Sequence, residues 1–203
     1  QMLRVASLRQ VMQALALIRP APASCGMKEQ FIRRARGRVP WTPPHPCLRG
    51  VLDETYGIML YEDDAIFVAA ALAGVSREEG DLLRRAIAKS GSAEKLAELA
   101  RGFLAKVADR GVPLAVAADL WVQMAKFTSY SFCKAHAASY ALMAYQLAYL
   151  KAHHPLEFMV AALNHQWGMY PKRVHLEEAK RLGLRVRRPC VNRSDSAFTI
   201  DAE

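Results

Sequence analysis

The sequence predicts a mainly α-helical chain with short β segments confined to its C-terminal end. Three observations carry that prediction. Apolar residues recur at helical spacing along nearly the whole chain, capping residues and prolines punctuate that spacing, and strict alternation occurs only after Gly183.

Taken in order, Leu3, Val5, Leu8, Met12, Leu15 and Ile18 mark a first amphipathic segment, ended by Pro20 and Pro22. Lys28 to Arg38 is a basic helix anchored by Phe31 and Ile32. Pro40, Pro43, Pro44 and Pro46 then force an extended connection around Trp41. Helical periodicity returns from Tyr61 to Leu72, with Glu62, Asp63 and Asp64 as an acidic first turn favoured by the helix dipole. Ser76 with Glu79 reads as a capping box for a helix running to about Lys89, and Ser90-Gly91-Ser92 breaks it. Ala93 to Asp109 and Pro113 to Phe127 follow as amphipathic helices, the second with proline at its first position. Thr128 to Phe132 interrupts the pattern. Lys134 to His153 is the longest helical signal, Pro155 opens a helix through Ala162, and Pro171 opens one closed by Gly183. Leu184 to Val186 and Ala197 to Ile200 alternate like short strands. The domain reading is a first segment over 1–50, a helical core over 51–183, and a small β-containing substructure beginning at 184.

Composition narrows the function. In 203 residues, 28 Lys and Arg oppose 19 Asp and Glu, and a net charge of +9 points to a polyanionic partner. Hydrophobic residues at 52% and charged residues at 23% exclude a disordered or collagen-like chain. Four cysteines without a C-x-x-C pair encode neither a zinc ribbon nor a disulfide framework, which suits a reducing cytoplasm. Ala137 to Leu150 comes nearest to a membrane span, but Ser139, Tyr140, Tyr145 and Gln146 mark it as a buried helix of a soluble protein, so no membrane partner is expected. The first 25 residues imitate a signal peptide and fail at Arg19 and Pro22. Opening on Gln1, the chain reads as a fragment or processed product.

Three clusters could carry chemistry. On the helix holding Asp81, Leu82, Leu83, Arg84 and Arg85, helical geometry puts Asp81, Arg85 and Lys89 on one face and Arg84 about 100° away. Two guanidinium groups can therefore approach one anion, such as a triphosphate. An ordinary i,i+4 ion pair on a solvated face is the competing reading. At the start of the long helix, Lys134 and His136 lie beside unsatisfied amides, with Tyr140 one turn on and able to stack on a base, and Tyr130 just before. Close packing of Ala137, Ala138 and Ala141 is the alternative there. The run Lys28, Arg33, Arg34, Arg36 and Arg38, preceded by Arg19, would grip a phosphate backbone without reading sequence, or else form a solvated surface helix. No His, Cys, Asp or Glu grouping has metal-ligand spacing, so no metal ligand is expected in the chain.

Several strings together resemble one family. TYGIMLYEDD from Thr55, LLRRAIAKS from Leu82 and YSFCKAHAASYALMAYQLAYLKAHHPLEFMVA from Tyr130 resemble the fingers region of the bacterial C-family replicative DNA polymerase, the alpha subunit of DNA polymerase III. LIRPAPASCGM from Leu17 is similar to that family's segment after the palm, and PCVNRSDSAFTI from Pro189 to the stretch before its helix-hairpin-helix motifs. The resemblance implies a multi-helix polymerase fingers domain that binds primer-template DNA and an incoming dNTP. It places Arg84 and Arg85 at the triphosphate, Arg19 near the active site, and Lys134, His136 and Tyr140 beside the nucleotide and template; with the charge pattern, Lys89 and Arg19 are assigned to the triphosphate as well and Tyr130 to the nucleotide side. It implies Mg2+ held by palm residues of the parent polymerase and none held here, so the fragment alone is expected to be inactive. A sliding clamp and other replisome subunits are the implied partners of the parent, in the cytoplasm. Ala21, Cys25, Cys133 and Ala88-Lys89-Ser90 depart from the family's usual residues and fit a divergent or secondary branch, one with translesion activity. Two other readings compete: a non-enzymatic basic helical module gripping nucleic acid backbone, and a helical interaction domain whose charge is incidental.

Overall fold

Three of the described helices start where a serine hydroxyl accepts a free amide of the first turn. In the computed structural model, which describes residues 3, 5–18, 26–128, 132–165 and 168–201, Ser7 accepts the Gln10 N–H at the head of α1 (Leu8–Leu17). That cap explains why α1 begins later than its apolar spacing suggests. α2 (Met27–Ala35) is the basic helix, and two single 3-10 turns, Pro46–Leu48 and Asp53–Thr55, lie in the connection that follows. α3 (Glu62–Ala73) starts with the acidic turn. α4 (Arg77–Ala88) carries the expected capping box, in which Ser76 and Glu79 exchange hydrogen bonds of 3.1 and 3.2 Å. Ser92 caps α5 (Ala93–Ala108), and α6 (Leu114–Thr128) follows Pro113. α7 (Lys134–His153), α8 (Pro155–Asn164) and α9 (Lys172–Arg181) complete the described helices.

The chain divides into two compact units, residues 1–141 and 142–203. Within the first, α3 is central because Ala65, Val68, Ala69 and Leu72 give it one continuous buried face. That face packs with Ile87 of α4, Phe103 and Val107 of α5, and Leu120, Trp121, Met124 and Phe127 of α6. A second cluster joins Ala16 and Leu17 of α1, Phe31 of α2, Ile58, Leu60 and Tyr61, and Ala137 of α7. Fully burying side chains of this size contributes about 1.5–3 kcal/mol each. The segment from Ile58 to Tyr61 alternates between the two cores, with Met59 in the first and its neighbours in the second.

In the second unit α8 packs on α9, burying Met159, Leu163 and Ala179. Glu178 receives both Arg181 and Lys151, and these two cations, Arg181 foremost, draw its carboxyl down to about 2. α9 closes as expected at Gly183, through Leu184 N–H donating to Ala179 O at 3.0 Å.

Two expectations are corrected. The strands at Leu184 to Val186 and Ala197 to Ile200 are absent among the described residues. Phe198 spends both backbone groups on the side-chain amide of Asn164, at 2.7 and 2.8 Å, so no ladder is available to it there. The helix over Ala137 to Leu150 is buried only at Ala137 and Ala141, while Leu142, Met143, Tyr145, Leu147, Tyr149 and Leu150 are exposed. Apolar residues surround this helix on all sides, and one packed face cannot cover them all. No helix among the described residues is long and apolar enough to cross a membrane.

Asp64 holds the head of α3 together. One carboxylate oxygen accepts the Leu60 N–H at 2.8 Å and the Tyr61 N–H at 2.9 Å. Burial is the main reason its pKa rises from 3.8 to about 6, against the opposing pull of those amides and the charge of Lys134. The folded state therefore holds this proton more tightly than the unfolded chain. The resulting stabilisation is complete below about pH 3.8 and is lost as pH rises through about 6. Asp64→Asn should accordingly gain on the parent chain between pH 4 and pH 7 by on the order of 2–3 kcal/mol, measured by urea unfolding. A pH-independent difference between the two would count against this account.

Candidate nucleotide and DNA interface

The cluster on α4 is built by helix geometry. Asp81 sits three residues before Arg84 and four before Arg85, and it reaches both. Arg84 donates from Nη2 at 2.7 Å and Nε at 2.9 Å to one carboxylate oxygen, while Arg85 Nη2 lies 2.6 Å from the other. The Arg84 hydrogen bond is the largest cause holding the Asp81 carboxyl below its ordinary range. Two guanidinium groups thus converge on one anion, as the spacing suggested, and that anion is the chain's own carboxylate. Arg84 joins this group despite its expected turn away. The two arginines differ in access: the Arg84 side chain is 18% exposed and that of Arg85 62%. Lys89 ends the helix as an exposed residue whose N–H bonds to Arg85 O, and it lines a groove toward Lys95 and Lys106 of α5.

The second cluster lies where α7 begins. Lys134 Nζ is 3.0 Å from Glu54 Oε2 and 5.3 Å from the centre of the Tyr61 ring. Glu54 is held in turn, its carbonyl accepting the Gln13 side chain at 2.8 Å. Tyr61 is fully buried, its hydroxyl has no hydrogen-bond partner among the described residues, and burial pushes its pKa up, with Glu54 and Asp64 adding to the shift. His136 sits between Phe132, edge-on at 5.5 Å, and Tyr140 at 4.4 Å. Tyr140 therefore stacks on a ring of its own helix, with half its surface still exposed.

The basic run on α2 separates by burial. Arg33, Arg36 and Arg38 are exposed and Lys28 is half-buried. Arg34 is half-buried and donates to Tyr56 O at 2.7 Å. Phe31 of α2, Tyr61 and Ala137 share one core, so the basic helix and the start of α7 are fixed around the same buried side chains. Arg19 and Tyr130 lie outside the described residues.

Sequence reasoning did not find Glu54 or Tyr61. They meet Lys134 across about 80 positions, a distance no local pattern reports. Two of the acidic residues are already engaged. Asp81 is committed to two arginines and Asp64 to two amides, and among the described residues no group of three His, Cys, Asp or Glu could hold a metal ion.

Residues 1–111 match the bacterial DNA polymerase III alpha subunit finger domain, a match that includes α4 and its arginines. The chain belongs to that family. Its sequence is 37% identical over 192 residues to an error-prone DNA polymerase of Symbiobacterium thermophilum, covering 94% of this chain and 18% of that protein. It is 35% identical over 193 residues to DNA polymerase III subunit alpha of Aquifex aeolicus, covering 95% and 16%. Against the same subunit of Pseudomonas aeruginosa the identity is 37% over 200 residues, covering 96% and 17%. The chain thus spans less than a fifth of the length of these relatives.

The Lys134–Glu54 pair is more than a third exposed on both sides, so solvent screens it. Lys134→Ala should therefore lower stability by less than about 1 kcal/mol in urea unfolding. A larger loss would make Lys134 a structural residue.

Proposed function

We propose that this chain is the fingers portion of a DNA-directed DNA polymerase, and that it brings positive charge to the triphosphate of an incoming dNTP. The carrying observation is the pair of guanidinium groups that Asp81 gathers on α4. Holding both arginines in place before a ligand arrives lowers the ordering cost of binding and leaves the exposed Arg85 as the main phosphate contact. Lys89 and Arg19 would add charge near the same phosphates.

Lys134 would meet a phosphate by exchanging Glu54 for it, and His136 and Tyr140, with Tyr130, would line the nucleotide and template. Lys28, Arg33, Arg36 and Arg38 would hold the DNA backbone, with Arg34 a weaker candidate because its guanidinium is partly turned inward. In nucleotidyl transfer, the bond from the α-phosphorus to the pyrophosphate breaks as the primer hydroxyl attacks. Arginine and lysine donors at that pyrophosphate stabilise the charge that accumulates on it. On this reading Mg2+ is held by palm residues of the parent polymerase. Primer-template DNA, dNTP and replisome subunits including a sliding clamp are the partners this reading implies, in the cytoplasm.

In the polymerase that contains this chain, Arg85→Ala should reduce kcat/KM for a templated dNTP by about 10- to 100-fold, the cost of one charged hydrogen-bonding group, while DNA affinity stays the same. Single-turnover incorporation measures this, and undiminished incorporation would contradict the reading. Neutralising Arg33, Arg36 and Arg38 should instead weaken primer-template binding for any sequence. The slope of log affinity against log salt should fall by roughly 0.9 per arginine, checked by fluorescence anisotropy.

A further inference from the structure

Away from the α4 and α7 clusters, the first unit has a pocket of about 420 Å3, open to solvent on one side. It lies between α2, the segment from Trp41 to Leu48, and α6, and is not lined by Arg84, Arg85 or Lys134. We propose that this cavity binds a small aromatic anion, a flat apolar ring system carrying one carboxylate, sulfonate or phosphate.

Its size falls in the range of small-ligand sites, and its walls combine apolar surface with a few convergent polar groups. Trp41, Leu48 and Phe127 supply the apolar walls. The Trp41 wall depends on Gly57, whose backbone has φ +77°. A Cβ there would stand 1.9 Å from the indole nitrogen, so only a residue without a side chain lets the ring lie against the backbone.

Charge selects the ligand. Arg34 donates one Nη1 hydrogen bond to Tyr56 O, while its Nε is buried without a hydrogen-bond partner among the described residues. No ion pair forms at this guanidinium among the described residues, and burial lowers its pKa, so the charge is held at a cost that an anion would offset. Lys126 stands exposed on the same wall without an ion pair among the described residues. The one acidic group in the lining, Asp119, already accepts the Gln123 amide at 2.7 Å. A neutral ring would leave Arg34 as it is, and a cation would meet two positive groups against the single carboxylate of Asp119.

The test is titration of the chain with naphthalene-2-sulfonate and with neutral naphthalene-2-sulfonamide, followed by NMR of 13C-methyl methionine. Expected are saturable sub-millimolar binding of the sulfonate, affinity for the sulfonamide weaker by ~10-fold or more, and shifts at Met27 and Met59 of the lining but not at exposed Met143 and Met169. Arg34→Met should weaken sulfonate binding by ~10-fold with an unchanged circular dichroism spectrum, and Lys126→Met by ~2- to 3-fold. Should Arg34→Met fail to fold, the surface substitution Lys126→Met and the methyl shifts decide the matter. Equal affinity for the two probes, no saturation in the millimolar range, or shifts at Met143 and Met169 in place of the lining would overturn the proposal.

Discussion

The Asp64 carboxylate at the head of α3 is the interaction on which the first unit's arrangement depends. It accepts the amides of Leu60 and Tyr61, fixing the segment that places Met59 in one core and Tyr61 in the other. The next amide, Glu62 N–H, donates to Phe132 O at 3.0 Å, which ties the approach to α7 to the same point. A buried carboxylate is costly unless its oxygens are satisfied, and here two backbone donors and the nearby Lys134 charge offset only part of that cost, which is why the proton is held up to about pH 6. The position of Lys134, and hence of the cationic end of α7, follows from a capping interaction made by another helix.

The candidate site has a consistent electrostatic design. Each of its main cationic centres is paired with an acid from the chain: Asp81 for Arg84 and Arg85, Glu54 for Lys134. Such pairing has two effects on a phosphate ligand. It holds the side chains in place before binding, and it makes the ligand compete with a carboxylate for the same donors. Arg85 and Lys134 keep enough exposure for that exchange, whereas the mostly buried Arg84 serves to hold Asp81.

Much of the fold was legible in the sequence, because its signals are local. The Ser76–Glu79 capping box, the acidic turn at Glu62 and the span of Lys134–His153 are all set by residues within a few positions of each other. The Asp81–Arg85 pair was readable for the same reason. What was not legible depends on distant partners. Alternation at Ala197 to Ile200 suggested a strand, but Asn164 takes the backbone bonds of Phe198. Glu54 meets Lys134, and Arg34 meets Tyr56 O, only once the two cores have formed. Family resemblance singled out these segments as candidates; it gave no indication that the cations there are already partnered.

On the proposed function, the junction at Asp64 positions Lys134 for a nucleotide phosphate. A double-mutant cycle with Asp64→Asn and Lys134→Ala, read as dNTP affinity in the polymerase that contains this chain, tests it most directly. The account predicts a coupling of about 1 kcal/mol or more, because the second substitution removes what the first has already displaced. Losses that add to within about 0.5 kcal/mol, or no loss from Lys134→Ala, would contradict it.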